Sequence, residues 1–320
     1  MNPVIRDNML KLYRDYTYAR ADIYYQKEIL KKPRKDWVYI DYAPDPLKDC
    51  FFTNVRRELD KGTKYLIDNI VESIKKDDND YIKNSALNTV LYRATINCKT
   101  GWEKVIKSLF NKEYIDFNKN IDYIKIKNFS INKDDVISNN AYVLGGLKRV
   151  ANLYFSYNGV NNKFGNYIAY VYSIRQQVFD AIFYLKDKNY EQSLQTLKNI
   201  LGLGDFLAYQ IYSDFCYILN DDKGLDTVIS CGPGTKAGLD LMFLDKNKLS
   251  YEDLLRWFRD NVDILMKERN LDWDVKEFLH FLPTNKQIWD ISSVANSFCE
   301  FKKLVNALYH NHKRRKYNGI

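Results

Sequence analysis

The stretch Leu197–Leu219, LKNILGLGDFLAYQIYSDFCYIL, decides the fold because it places two glycines between two apolar helical repeats. Gly202 and Gly204 can adopt positive φ, so the spacing predicts a tight turn between two helices. The second helix is predicted to begin at Asp205 or Phe206, with its first amides pointing back over the glycines and able to bind an anion. This pattern is typical of a helix-hairpin-helix, which grips nucleic-acid phosphate, but an ordinary corner between two helices explains it as well.

Composition limits the class of protein. The chain has 320 residues, 46% of them apolar, which is enough for a substantial core in one large domain or two close ones. A formal net charge of +8 favours a polyanionic partner, although a gene of low GC content would produce the same richness in Lys, Asn, Ile and Tyr. The 26 tyrosines suit both a core and a surface that stacks on bases.

Cysteine and histidine usage argues against disulfides and bound metal. The 5 cysteines are scattered without a C-x-x-C pair, and the 3 histidines lie near the C-terminus. We therefore predict neither a metal site nor a cofactor. The charged N-terminus is not typical of a secretory signal, and no apolar run reaches about eighteen residues. The expectation is a cytoplasmic monomer without a membrane span.

Helical periodicity dominates the rest of the chain. Residues 2–31 predict an amphipathic helix, and residues 47–75 predict a second helix that carries Arg57 and Asp60 three positions apart. At that spacing the two side chains can pair on one helix surface, most simply as a solvated ion pair. Between residues 111 and 146, alternating residues and a glycine pair indicate a small extended or hairpin insertion.

Two charged residues have alternative interpretations. Arg93 lies within an apolar run, so its burial would require an anionic partner, either a protein carboxylate or a ligand. Asp226 follows the glycine turn by about twenty residues. This spacing resembles that of helix-hairpin-helix DNA glycosylases, and the resemblance implies an Asp that faces the sugar of a flipped nucleotide. Such a carboxylate can stabilise an oxocarbenium-like sugar and orient an attacking water, whereas a helix N-cap or a turn Asp is the common alternative. In the glycosylases of that group with lyase activity, a Lys follows the hairpin glycines. Here Asp205, Phe206 and Leu207 follow them, so the resemblance does not imply a Schiff-base nucleophile.

Six motifs occur in order along residues 15–305. They are FFTNVRRELDKGTKYL, LNTVLYRATINCKTGWEKV, NNAYVL, LGLGDFLAYQIYSDF, CGPGTKAGL and SFCEFKK. Together they resemble a helical family, the α-glutamyl/putrescinyl thymine pyrophosphorylases, and the related helical domain of 5-hydroxymethyluracil DNA kinases. The resemblance implies a mostly α, helix-hairpin-helix DNA-glycosylase-like fold that flips modified pyrimidines out of DNA.

The resemblance also implies which residues form the site. The catalytic residues would be Asp226, Asp60 and Arg57. Substrate or DNA contacts would come from the same motifs, namely from Asn54, Thr63, Arg93, Tyr142, Gly202, Gly204, Gln210, Gly232, Gly234 and Lys236. Arg56 stands where the family commonly has an aromatic residue, and Thr235 where it commonly has alanine. These departures leave the identity of the base open.

The expected organisation is a single unit, residues 1–320, made of two close helical lobes with the active cleft between them. The lobes would comprise residues 1–45 with 190–320, and residues 46–189. The expected function is monofunctional DNA N-glycosylase activity that excises a modified pyrimidine, in defence against phage. Two alternatives are an amino-acid or polyamine:DNA transferase that displaces pyrophosphate from a modified thymine, and a binding module without catalysis. The sequence contains no G-x-x-x-x-G-K-[ST], so the kinase activity of the related fused proteins is not expected of this chain.

Overall fold

The fold is seen in a computed structural model that describes residues 2–77, 81–94, 99–119 and 163–310. Within these ranges the chain is mostly helical with one two-stranded sheet, which confirms the mostly α prediction. The predicted insertion lies almost entirely outside the described residues. Contacts within the chain define two compact units: unit 1 is Met1–Asp60 with Cys231–Ile320, and unit 2 is Lys61–Ser230. The predicted active cleft stays a prediction.

The elements are numbered along the chain. The first segment of unit 1 contains β1 (Val4–Ile5), α1 (Asp7–Tyr24) and α2 (Asp45–Asp49). Unit 2 contains α3 (Lys61–Tyr65), α4 (Glu72–Asp77), α5 (Tyr81–Ala94), α6 (Lys99–Trp102), α7 (Ser108–Phe110), α8 (Lys163–Ser173), α9 (Arg175–Lys186), α10 (Tyr190–Lys198), α11 (Gly204–Leu219) and α12 (Asp222–Thr227). The second segment of unit 1 contains α13 (Pro233–Met242), β2 (Phe243–Asp245), α14 (Tyr251–Glu268), α15 (Val275–Phe278) and α16 (Ile291–Tyr309).

Short helical turns complete these elements. A π-helical turn, Tyr25–Ile29, extends α1, and two more lie at Leu66–Val71 and Glu103–Lys107. Single 3-10 turns occupy Arg34–Asp36, Arg57–Leu59 and Thr284–Lys286. The two strands pair antiparallel, with Val4 opposite Asp245. This pairing brings the two chain segments of unit 1 together.

The core of unit 1 is aromatic. Tyr13 of α1 stacks on Phe298 of α16 at 4.8 Å between ring centroids, and the Phe301 and Phe258 rings meet it edge-on. All four rings are fully buried, and the Tyr13 hydroxyl is hydrogen-bonded to Ser297. Each ring contributes roughly 1.5–3 kcal/mol through burial, with a further gain from the edge and stacking geometry. This core holds α16 against the beginning of the chain.

Helix α13 lies unusually close to α16 because small residues face it. A Cβ atom on Gly238 would stand 2.3 Å from the carbonyl oxygen of Phe298, and one on Gly234 would stand 2.3 Å from the Cys299 sulfur. The Thr235 hydroxyl donates to the carbonyl oxygen of Ala295 at 2.9 Å. Gly234 therefore lies at a close helix contact. This packing explains why the position has no side chain, and contact with a ligand is not needed to explain it.

Replacing Gly238 by Ala is expected to lower the free energy of unfolding by about 1–3 kcal/mol, because the added methyl group meets main-chain atoms that cannot move aside alone. Chemical denaturation would measure the change. Lys236→Ala on the exposed face of the same helix is the control and should change stability by less than about 0.5 kcal/mol. Equal stabilities of the two variants would contradict close packing at Gly238.

The glycine turn of unit 2 has the predicted backbone geometry. Gly202 has φ of 97° and Gly204 has φ of 64°, between α10 and α11. Helix α11 begins at Gly204, one residue before the predicted start. The Tyr170 hydroxyl donates to the carbonyl oxygen of Leu201 at 2.8 Å, and the Leu203 side chain is buried. The buried side of the turn is therefore held by this hydrogen bond and by packing of Leu203, and Gly204 is exposed.

The predicted helix over residues 47–75 is wrong for its first part, residues 50–60, and confirmed for residues 61–75. After α2 the chain is largely extended from Cys50 to Arg56, forms the 3-10 turn Arg57–Leu59, and resumes as a helix only at Lys61. Main-chain groups of the extended segment are hydrogen-bonded to side chains of helices that are distant in sequence. Within a helix these groups would be hydrogen-bonded to one another. Asp60 ends the 3-10 turn in an extended conformation, so Arg57 and Asp60 do not form the expected pair on a helix surface.

The described residues also bear on the predictions about metal ions, membrane spans and cysteines. In the described ranges, no group of three or more His, Cys, Asp or Glu side chains is placed to hold a metal ion. Nor does any helix in those ranges combine the length and apolar character that crossing a bilayer requires. The described cysteines, Cys50, Cys216, Cys231 and Cys299, are free thiols. Burial raises the pKa of Cys231 to about 12, so its thiol is unreactive at neutral pH.

Candidate functional site

The candidate site in unit 1 is a buried polar cluster beside the extended segment that ends at Asp60. We call it the Asp60 cluster, and it consists of Tyr16, Arg20, Asn54, Arg57, Asp60, Asn296 and Glu300. Arg20, Asn54, Arg57 and Glu300 expose only 2–5% of their surface. Charged and amide groups are rarely buried this deeply without partners. Each of these buried groups is therefore expected to have specific hydrogen-bond or ionic partners.

Arg20 fixes the extended segment from the side of α1. Its Nε donates to the carbonyl oxygens of Phe52 and Thr53 at 3.1 and 3.0 Å, and its Nη2 donates to Oδ1 of Asn54. These carbonyl groups would be occupied within a helix. The guanidinium thus supplies hydrogen bonds that make the extended conformation favourable.

Helix α16 holds the same segment through two residues one turn apart. Oε2 of Glu300 accepts from the main-chain amide of Thr53 at 3.2 Å, and Oε1 is paired with Lys303. Nδ2 of Asn296 donates to the Thr53 hydroxyl at 3.2 Å and to the carbonyl oxygen of Asn54 at 3.3 Å. Positions 296 and 300 lie on one face of a helix, so both side chains reach the segment together.

Asp60 is the titratable centre of the cluster. Its Oδ1 accepts from the main-chain amide of Asn54 at 2.8 Å and from Nδ2 of Asn54 at 3.2 Å. Burial raises the pKa of Asp60 to about 6, and the Glu300 carboxylate acts in the same direction, while the Asn54 amide, Arg20 and Arg57 act against it. A carboxylate with a pKa near 6 can accept a proton from a substrate at neutral pH.

Two buried donors point to a missing acceptor in the cluster. The Tyr16 hydroxyl and Nη1 of Arg20 have no hydrogen-bond partner among the described residues. Burial, followed by the Glu300 carboxylate, raises the pKa of Tyr16 well above its usual value, so its hydroxyl keeps its proton. The positive charge of Arg20 lowers that pKa, and the Asp60 carboxylate raises it. Buried donors of this kind take acceptors from ordered water or from a ligand.

Arg56 anchors the segment on its other side. Its guanidinium, 2% exposed, donates to the carbonyl oxygens of Lys286, at 2.7 Å, and Ile288. It also pairs with Glu58 at 3.2 Å and Asp290 at 3.4 Å. Where the family resemblance leads one to expect an aromatic ring, this chain has a charge with four acceptors. The residue therefore acts here as a structural tie.

Unit 2 contains a separate buried ion pair. Nε and Nη2 of Arg93 donate to the two carboxylate oxygens of Asp214 at 2.7 and 2.9 Å, and Nη2 lies 3.3 Å from the Thr63 hydroxyl. Arg93 is 3% exposed and Asp214 is fully buried. Of the two partners expected for Arg93, the structure provides the protein carboxylate. A direct contact of Arg93 or Thr63 with substrate stays a prediction.

Asp226 lies near the end of α12 in unit 2 and is half-buried. The N-cap of that helix is Asp221, whose Oδ1 accepts from the amide of Gly224 at 3.1 Å. Asp226 is therefore not the helix cap that its alternative interpretation required. Its partner residues Asp60 and Arg57 in the predicted catalytic set belong to unit 1.

The remaining predicted contact residues are spread over both units. Gln210 is buried in α11, six residues after its first residue, Gly204. Gly232 is the N-cap of α13, and Lys236, in the same helix, places its ammonium group 5.4 Å from the centre of the Tyr251 ring. Tyr142 lies outside the described residues. The structure brings Asn54, Arg57 and Asp60 together and leaves the rest as predictions.

Sequence reasoning missed Arg20, Asn296 and Tyr16 as members of the site. Arg20 had a usable signal, because a charged residue in the buried half of an amphipathic helix requires a partner. Asn296 and Glu300 also had one, since two polar residues four positions apart interrupt the apolar face of α16. Nothing in the sequence indicated which distant segment these residues contact.

Comparison with known proteins identifies the family. Residues 7–314 match the family model described as "5-hmdU DNA kinase, helical domain". A curated relative, the 5-hmdU DNA kinase of Bacillus phage SP10, is 24% identical over 321 residues, covering 95% of this chain and 46% of the relative. The chain thus spans less than half the length of that relative. No solved structure matches the chain significantly.

These findings correct the functional prediction. The family and the relative are both named for a kinase, so the prediction of a DNA N-glycosylase, a hydrolase that removes the base, is wrong. The alternative of an amino-acid or polyamine transferase is wrong for the same reason. The sugar chemistry expected of Asp226 was part of the glycosylase prediction, whereas its place among the site residues stays a prediction. The resemblance to the kinase helical domain is confirmed over nearly the whole chain. This chain belongs to the 5-hmdU DNA kinase helical-domain family.

Proposed function

We propose that this chain binds DNA containing 5-hydroxymethyluracil and presents the hydroxymethyl group of that base for phosphorylation. The observation that carries the proposal is the family match over residues 7–314. The named activity of the phage SP10 relative supports the substrate, a modified base in DNA. Because the sequence has no P-loop motif and spans less than half of that relative, we assign no residue of this chain to the phosphate donor.

The Asp60 cluster supplies the chemistry that the acceptor side of this reaction needs. The hydroxymethyl oxygen of the base attacks the terminal phosphorus of a nucleoside triphosphate, its proton passes to Asp60, and the bond from that phosphorus to the bridging oxygen breaks, releasing the diphosphate. In kinases, an aspartate commonly accepts the proton of the substrate hydroxyl. A pKa near 6 suits Asp60 to this role at neutral pH.

Recognition of the base would use the cluster's two unsatisfied donors. The Tyr16 hydroxyl and Nη1 of Arg20 can donate to carbonyl or hydroxymethyl oxygens of a uracil base that has left the duplex stack. Glu300 and Asn296 keep the segment that carries Asp60 in position. The modified base then replaces the water that would otherwise satisfy these groups.

DNA backbone contacts would come from the glycine turn of unit 2. We infer that α10, the turn and α11 act as a helix-hairpin-helix, with amides near the exposed Gly204 facing a phosphate. The formal charge of +8 favours the same partner. A glycosylase-like ancestry of the fold belongs to this inference, because base flipping serves phosphorylation of a base as well as its removal.

The test is binding of the chain to two labelled DNA duplexes that differ only in one base, 5-hydroxymethyluracil or thymine. Fluorescence anisotropy at fixed salt is expected to give an affinity about tenfold or more in favour of the modified duplex, the range that hydrogen bonds to a buried hydroxyl can supply. Equal affinities for the two duplexes would overturn the proposal. The chain is then incubated with ATP and the modified duplex. Detection of the phosphomonoester of the base by mass spectrometry would establish its hydroxymethyl group as the phosphate acceptor.

A further inference from the structure

A cavity of about 820 Å³ in unit 1 lies outside the Asp60 cluster. Residues from the second half of α14, from the 270–276 segment and from the 287–289 segment line it. Its volume is in the range of small-molecule and cofactor sites. Nothing in the proposed acceptor chemistry uses it.

The cavity has an aromatic and aliphatic wall. Trp273 packs at 5.5 Å from Trp289 and 5.1 Å from Phe278, between ring centroids, and so is held in one orientation. The Trp273 indole nitrogen is buried and has no hydrogen-bond partner among the described residues. Ile288, which also lines the cavity, is 71% exposed. A rigid aromatic and aliphatic wall suits a flat heterocycle that packs against it.

The rim of the cavity carries separated charges of both signs. Lys267 and Lys276 are exposed lining residues, and neither ammonium group has a carboxylate within 4.0 Å in the described part of the chain. Asp263 and Asp272, also exposed, likewise form no ion pair with a described residue. A ligand with only anionic groups would leave these carboxylates repelled, whereas a ligand with phosphate and amino groups satisfies both kinds of charge.

We propose that this cavity binds a nucleotide with an amino-bearing base. The base would lie against Trp273 and Ile288, its amino group would donate to Asp263 or Asp272, and its phosphate would lie between Lys267 and Lys276. Adenine, cytosine and guanine carry such an amino group, whereas thymine and uracil do not. This inference rests on the proposed function, because the reaction offers two sources of such a nucleotide: a neighbour of the modified base in the DNA strand, or the free nucleoside triphosphate.

The cavity is linked to the Asp60 cluster through Arg56. Arg56 donates to the carbonyl oxygens of Lys286 and Ile288, and the Trp289 indole N–H donates to the carbonyl oxygen of Val55 at 3.1 Å. The segment that lines the cavity is therefore hydrogen-bonded to the segment that leads to Asp60. A nucleotide in the cavity would order both.

The test measures binding of three probes to the full chain: ATP by equilibrium dialysis, and fluorescein-labelled dA12 and dT12 single strands by anisotropy. Binding of ATP with no preference for dA12 identifies the free nucleotide as the ligand, and preference for dA12 over dT12 identifies the DNA strand. The variant carrying Lys267→Ala and Lys276→Ala should weaken the preferred probe about tenfold, as expected for two lost charge-assisted contacts. Lys35→Ala, an exposed lysine of unit 1 outside the cavity, is the control.

A milder variant separates the heterocycle from the phosphate. Trp273→Phe keeps an aromatic wall but reduces the ring area that a heterocycle can pack against, and should weaken the preferred probe by about threefold to tenfold. The inference is overturned if none of the probes binds, or if the double lysine variant binds as tightly as Lys35→Ala. Discrimination between 5-hydroxymethyluracil and thymine duplexes should survive in the double variant, so loss of the cavity function is distinguishable from failure of the proposed function.

Discussion

Replacing Asp60 by Asn is expected to slow phosphoryl transfer to 5-hydroxymethyluracil in DNA by roughly 10²–10⁴-fold, because an amide cannot accept the proton of the attacking hydroxyl. The measurement is transfer of labelled phosphate from ATP to a modified duplex by this chain, compared between the variant and wild type. Affinity for that duplex should change little, since Asn can still accept from the Asn54 amide through its carbonyl oxygen. The loss should therefore appear in kcat.

The pH profile supplies a second measurement. Asp60 with a pKa of about 6 accepts protons only above that pH, so the wild-type rate should rise through pH 6 and level off. The residual rate of Asp60→Asn should lack that rise. Asp41→Asn, an exposed carboxylate of unit 1, is the control and should keep the wild-type rate and profile. An Asp60→Asn enzyme with the wild-type rate would exclude Asp60 as the proton acceptor.

Stability should change in the opposite direction to activity. The folded pKa of Asp60 lies above the ordinary aspartate value, so its contribution to stability is fully present below about pH 4 and is lost as pH rises through 6. Asn does not titrate. Solvent reaches part of Asp60, so we expect a moderate effect. At both pH 5 and pH 8, the free energy of unfolding of Asp60→Asn should exceed that of wild type by roughly 1–2 kcal/mol. Denaturation at the two pH values would measure this gain and show that the variant is folded.

Replacing Asp214 by Ala is expected to lower the free energy of unfolding by about 3–5 kcal/mol, because it leaves the Arg93 guanidinium buried without its carboxylate. Thermal or chemical denaturation would measure the loss. The exposed pair Lys64 and Asp68 of the same unit, 3.4 Å apart, provides the matched control. Asp68→Ala should cost less than about 1 kcal/mol.

A double variant keeps this prediction testable if the single variant does not fold. Arg93→Met combined with Asp214→Leu removes both charges and keeps apolar volume, and such replacements are often neutral or stabilising by about 1–4 kcal/mol. Its stability should exceed that of Asp214→Ala. A single variant that loses less than about 1 kcal/mol would show that the ion pair is not desolvated as the structure indicates.

Local chemistry made part of the fold predictable. The spacing of Gly202 and Gly204 predicted their positive φ, because few other residues adopt that backbone conformation. The apolar surroundings of Arg93 predicted that it would need an anion, since an unpaired charge is too costly to bury. In both cases the physical requirement is present within a few residues of the chain.

The candidate site was less predictable because its partners are far apart in the chain. Asn54, Arg57 and Asp60 were recognised, but within a stretch predicted to be helical that is in fact extended or 3-10. Apolar periodicity over residues 47–75 gives no sign of the hydrogen bonds that this stretch makes with Arg20 and Glu300. Those bonds cross 33 and 247 positions of sequence. Tertiary partners of this kind overrule local helical preference.

The tie at Arg56 constrains how this chain can diverge from its relatives. Its guanidinium serves two carbonyl oxygens and two carboxylates, those of Glu58 and Asp290. A single exchange of Arg56 for an aromatic residue would leave the buried Asp290 without its cation and Glu58 with only the Lys286 ammonium group, 3.9 Å away, at a cost of several kcal/mol. Arg56 and Asp290 should therefore be inherited together, and lineages with an aromatic residue at position 56 should carry an uncharged residue at position 290. Divergence at this position requires an ordered series of substitutions in which a carboxylate is lost before the arginine.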